Sequence, residues 1–95
     1  MNRTLHTIHA VTALSACLDR AGVDADFLLL EEGVYAALAD HPLSTQIGAR
    51  RAFVLTPDLA LRGLASRPLA PGLRPIAMAE FVAMTIDHNP CLAWF

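Results

Sequence analysis

Two cysteines, four histidines and an adjacent pair of glutamates are the residues of this chain with side chains suited to chemistry. A cysteine that carries sulfur must expose its thiol and favour the thiolate, through a cationic neighbour or a helix N-terminus. Cys17 lies in Leu14-Ser15-Ala16-Cys17-Leu18, where Leu14, Cys17, Leu18 and Ala21 recur at the spacing of a buried helical stripe. Spacing alone therefore reads Cys17 first as a core thiol, with Arg20 the nearby cation on which a carrier role would depend. Cys91 sits in an apolar tail, expected to be exposed, where it serves either as a mobile carrier or in docking onto a neighbour. Two cysteines are too few for a disulfide framework, and these two lack metal-site spacing.

His6 and His9 are three apart on an extended segment, point to opposite faces, and so do not share a metal. His41 and His88 fall in other regions, and neither a metal nor a cofactor is expected. His9 alone stands at a strand end, where a loop histidine is ordinarily just solvated. Glu31 and Glu32 diverge as neighbours at a strand end and read as a cap for the short helix that follows. Asp58 likewise begins a helix, where a first-turn carboxylate is structurally useful. No serine, histidine and acid arrangement stands out.

These side chains must be positioned by elements that alternate along the chain. Leu5 to His9 alternates apolar and polar as a first strand, and Thr12 to Ala21 forms a helix stopped by Gly22. Ala25 to Leu30 reads as a strand covered on both faces, followed by a short helix over Val34 to Leu38 and a loop from Asp40 to Gly48. Ala52 to Leu55 is a third buried strand. Pro57 then opens a helix over Asp58 to Leu64. A proline-rich loop leads to a fourth strand at Leu73 to Ala77, placed at an edge by Pro75. A last helix spans Ala79 to His88, and the tail 89–95 is apolar. The expected fold is one α/β domain over residues 1–95: a small, mostly parallel sheet of about four strands with helices on both faces. Trp94 and Phe95 assign the tail to an interface, because aromatic side chains are enriched there.

Composition narrows the function. Apolar residues make up 55% of the 95 and charged ones 17%, more apolar material than so small a core needs. A membrane span requires about 18 uninterrupted apolar residues, and no such run exists, so the surplus points to a surface for a partner subunit. The net charge is -2, and the basic residues are all arginines, scattered along the sequence. Direct nucleic-acid binding is not expected from that distribution. No glycine-rich phosphate loop follows any strand. Without signal-peptide features, a reducing cytoplasm is the expected location.

The order of segments resembles the TusB/DsrH family of sulfur-relay subunits. Leu5-His6-Thr7 looks like the family's opening, and Phe27-Leu28-Leu29-Leu30-Glu31-Glu32-Gly33-Val34-Tyr35-Ala36-Ala37-Leu38 follows in order. Val54-Leu55 with Pro57-Asp58-Leu59, Arg62-Gly63-Leu64, and Phe81-Val82 through Ala93-Trp94 extend the likeness over nearly the whole chain. The resemblance implies a DsrE-like fold and a heterohexamer with TusC/DsrF-like and TusD/DsrE-like subunits, two copies of each. It implies persulfide relay toward an acceptor of the TusE/DsrC type, for tRNA wobble-uridine thiolation in the TusBCD form or sulfur oxidation in the DsrEFH form. In both, the principal sulfur-carrying cysteine belongs to the TusD/DsrE-type subunit, which makes this chain an accessory subunit. Ser15-Ala16-Cys17-Leu18 resembles the Ser-x-Cys-Leu pattern of DsrH-type chains, a cysteine that TusB-type chains lack, and this raises Cys17 as a sulfur carrier. The alternatives are a small sulfurtransferase using Cys17 and a stand-alone homo-oligomeric binding protein.

Overall fold

The computed structural model describes residues 3–48 and 50–95. Five parallel strands form one sheet: β1 (Thr4–Ile8), β2 (Ala25–Leu29), β3 (Arg51–Leu55), β4 (Leu73–Ile76) and β5 (Cys91–Trp94), in the order β4-β3-β2-β1-β5. The central strand β2 is buried along its whole length, which explains its apolar run Phe27-Leu28-Leu29, and Asp26 is the one charged residue buried within it. β4 occupies an edge, as Pro75 requires.

The fifth strand is the main departure from the expected four. Cys91 to Trp94 pairs in parallel with β1, setting Leu5 beside Cys91 and Ile8 beside Trp94. Four residues after a proline are too short for periodicity to reveal a strand. Aromatic and apolar residues still suit a pleated, half-buried surface. Trp94 is held rather than free, since its Nε1–H donates to His6 Nδ1 at 3.0 Å.

Three α-helices connect the strands: α1 (Leu14–Arg20), α2 (Thr56–Leu61) and α3 (Met78–Asp87). The first begins later than Thr12 suggests, because Val11–Ala13 winds as a 3-10 turn ahead of it and no side chain caps α1. Residues Glu31–Ala37 and Pro42–Gln46 also form 3-10 helices, the second inside the expected loop and capped by His41 Nδ1, which accepts from Leu43 N–H. α2 starts at Thr56 with Pro57 in its first turn. In α3, the Glu80 side chain accepts from Ala77 N–H at 3.2 Å.

The two faces of the sheet are covered unequally. On one face Phe27, Leu29, Ile8 and Val54 pack with Leu14 and Cys17 of α1, with Val34, Ala36 and Ala37, and with Leu59 of α2. Each fully buried large side chain there contributes about 1.5–3 kcal/mol of transfer free energy. On the other face Leu5, Leu28, Leu30, Leu55 and Ile76 meet Phe81 and Met84 of α3. No residue of α3 is fully buried.

Candidate functional site

Ligands of parallel α/β sheets sit beyond the carboxyl ends of the strands, and here that end gathers polar side chains. Thr7 and His9, two apart, project to the same side of β1, and Thr7 Oγ1 lies 3.0 Å from His9 Nε2. His9 Nδ1 donates to Glu31 Oε1. The His9 ring also stacks on Phe95, with centroids 4.4 Å apart. Hydroxyl, imidazole and carboxylate thus stand in the order used by base-activated nucleophiles, although Thr7 itself is buried.

Glu31 takes φ of 51°, a left-handed conformation that costs a non-glycine residue about 1–3 kcal/mol and concentrates at functional sites. Its N–H donates to Asp58 Oδ2 at 2.6 Å, so α2's first-turn carboxylate holds the turn after β2. Gly33 completes this end. A Cβ there would stand 2.1 Å from Ile8 O, so only glycine lets the Glu31–Ala37 helix approach the end of β1. Sequence reasoning treated His9, Glu31 and Asp58 separately, as a solvated ring and two helix caps; the fold brings them into one network. The i, i+2 spacing of Thr7 and His9 was the available signal.

The thiols lie away from that network. Cys17 is fully buried on α1, and burial pushes its thiol up to about 11, while Arg50 pulls more weakly in the opposite direction. Arg20 is exposed, so the cation near Cys17 is Arg50, from a distant part of the sequence. Cys91 is exposed, with Sγ 3.6 Å from His88 O. Among the described residues no group of three or more His, Cys, Asp or Glu side chains is placed to hold a metal ion. Nor is any helix among them long and apolar enough to cross a membrane.

The amino ends of the strands carry a second polar cluster that the sequence did not announce. Asp26, with no exposed surface, receives Arg3 Nε at 2.8 Å, Arg51 Nε at 3.1 Å and His88 Nε2 at 2.7 Å. His88 Nδ1 meets Met84 O at 2.7 Å. Both ring nitrogens of His88 therefore face acceptors. Arginines far apart in sequence converge at this end. Arg3, Arg50 and Arg51 line a groove of 480 Å³, and Arg50, Arg51 and Arg74 an adjoining one of 430 Å³. Arg50 also stands 5.4 Å above the Phe27 ring.

A family model described as DsrH like protein matches residues 9–91. The chain belongs to the DsrH-like family. Its relatives include the TusB proteins of Escherichia coli O1:K1 / APEC and of Escherichia fergusonii, each 32% identical over 95 positions that span 95% of this chain and 99% of theirs. TusB of Shigella boydii serotype 18 is 30% identical over the same extent. Membership of this family makes the protein a sulfur-relay family member. The fold is shared with the ychN protein from Escherichia coli, whose crystal structure aligns with a TM-score of 0.74 over 98% of this chain and 99% of that one, at 15% identity.

Proposed function

We propose that this DsrH-like chain is an accessory subunit of a cytoplasmic sulfur-relay heterohexamer of the TusBCD/DsrEFH kind, in which persulfide rides on a cysteine of another subunit. The observation that carries the reading is the placement of Cys17: a thiol without exposed surface and pushed up to about 11 lacks both requirements of a carrier. In this reading the chain completes the assembly with TusC/DsrF-like and TusD/DsrE-like partners, and the tail 89–95 takes part in an interface. The complex hands sulfur to a TusE/DsrC-like acceptor, for tRNA wobble-uridine thiolation or for sulfur oxidation. Co-expression with the neighbouring TusC- and TusD-like chains tests it: a native mass of two copies of each supports the proposal, and a chain that stays apart from both overturns it.

A second reading makes Cys17 itself the carrier, and the Arg50 guanidinium acting on that thiol is the observation in its favour. Replacing Cys17 with Ser then abolishes persulfide transfer by the assembled complex, whereas the accessory reading leaves transfer nearly intact.

A further inference from the structure

The two edges of the sheet differ in what they offer to another strand. A free edge presents backbone N–H and C=O groups that a second chain can pair. On β4 the outward donors are already used or missing. Leu73 N–H donates to Ala70 O at 3.1 Å, Ala77 N–H donates to Glu80 Oε1 at 3.2 Å, and Pro75 between them has no N–H. β5 is the opposite case. Its Pro90 and Trp94 carbonyls accept from Leu5 and His9 of the β1 segment at 3.0 and 2.9 Å. Backbone groups alternate in direction along a strand, so Cys91, Ala93 and Phe95 turn their N–H groups away from β1. Cys91-Leu92-Ala93-Trp94-Phe95 holds no charged residue and no proline to discourage pairing.

We propose that β5 pairs antiparallel with β5 of a second copy of this chain, across a two-fold axis at Ala93, so that the two sheets become one. Each copy has a single edge with open donors, so the pairing closes at a dimer instead of running on as a fibre. The register follows from the donors. Centring on Ala93 sets Ala93 opposite itself and Cys91 opposite Phe95 of the second copy, which engages all three outward N–H groups. Centring on Leu92 leaves the Phe95 N–H without a partner. The flanks suit burial as well, with Leu92 44% and Phe95 81% exposed. The end of α3 borders the same edge, because Cys91 Sγ lies 3.9 Å from Thr85 O and 3.6 Å from His88 O. The dimer needs no other subunit and stands or falls apart from the relay-complex reading.

Sedimentation and native mass spectrometry of the isolated full chain test the pairing. The wild type is expected at twice the chain mass. Ala93→Lys and Ala93→Glu are each expected at the single-chain mass, because like charges then face each other across the axis. Mixing the two variants brings opposite charges together and is expected to restore a dimer containing one of each. Ala93→Pro removes a central outward donor and is also expected as a monomer, with far-UV circular dichroism confirming that the fold is kept. A wild type that remains monomeric at its highest soluble concentration overturns the proposal. So does a dimer that survives all three substitutions, or a folded Lys and Glu pair that does not recombine.

Discussion

Native thiol labelling separates the two cysteines by their surroundings, with a magnitude that the structure supplies. Cys17 has no exposed surface, and burial raises its thiol from an ordinary 9.0 to about 11. At pH 7.5 that leaves roughly 3 thiolates in 10,000 molecules, against about 3 in 100 at the ordinary value. Ionisation alone therefore slows an alkylating reagent by about 100-fold, and the need for the core to open slows it further. Treating the folded protein with iodoacetamide and reading intact mass should give one adduct, which peptide mapping places on exposed Cys91. Cys17 should react only after urea unfolding. Labelling of Cys17 within about 10-fold of the Cys91 rate would refute the reasoning, since a fully buried thiol cannot keep pace with an exposed one.

The same thiol fixes a pH dependence. Its folded value lies above its unfolded one, so the folded state favours the protonated form. The stabilisation is complete below pH 9 and is lost as pH rises through about 11. The difference corresponds to about 3 kcal/mol. Urea unfolding followed from neutral pH upward should show that decline in the wild type, and Cys17→Ala should show much less of it.

Four further outcomes are expected. Asp26→Asn removes the buried carboxylate shared by Arg3, Arg51 and His88 and should cost about 1–3 kcal/mol in urea unfolding, because its charged hydrogen bonds are lost while both arginines stay in contact with solvent; a cost near zero would contradict the shared role. Gly33→Ala forces a Cβ against Ile8 O and should cost about 1–3 kcal/mol, seen as a melting temperature lower by several degrees. His6, whose ring is pulled below 6.5 by burial and then by Arg50, contributes stability above pH 6.5 that is lost as pH falls through its folded value. Trp94 is the only tryptophan and donates to His6 Nδ1, so its emission should shift to the red over that acid range, and His6→Phe should flatten the change. Glu31→Gly relieves a φ of 51° but removes the His9 contact, so a perturbed His9 ring resonance by NMR, with the remaining fold intact, is its expected signature.

Much of the fold was legible because burial writes a plain pattern. Phe27 to Leu30 is apolar without a break because β2 lies at the centre of the sheet, and the Leu14, Cys17, Leu18 stripe follows from one face of α1 meeting the core. Pro75 announced an edge strand. β5 was illegible because four residues carry no period and its partner β1 lies more than eighty residues earlier. The polar clusters were illegible for a related reason. His9, Glu31 and Asp58 belong to three different strand ends, and Asp26 with His88 unites a strand with the end of the last helix. Only the topology brings such groups together, since no local spacing relates them.

The uneven covering of the sheet explains where the apolar surplus of the composition goes. A chain of 95 residues with 55% apolar content could hide that excess only in a core larger than it can build. One face is closed by α1, α2 and the 3-10 segments. The opposite face receives Phe81 and Met84 of α3, and that helix turns Met78, Val82 and Ile86 outward at intervals of four. Those intervals make a continuous stripe along the helix, and Leu92 and Phe95 add exposed apolar surface at the β5 edge. Scattered apolar residues on a surface need no explanation, whereas a stripe beside an open strand edge has the composition of an interface. The accessory role proposed for this DsrH-like chain rests on the same economy of the fold: its best-placed thiol is spent on packing, and its exposed apolar surface is left for other chains.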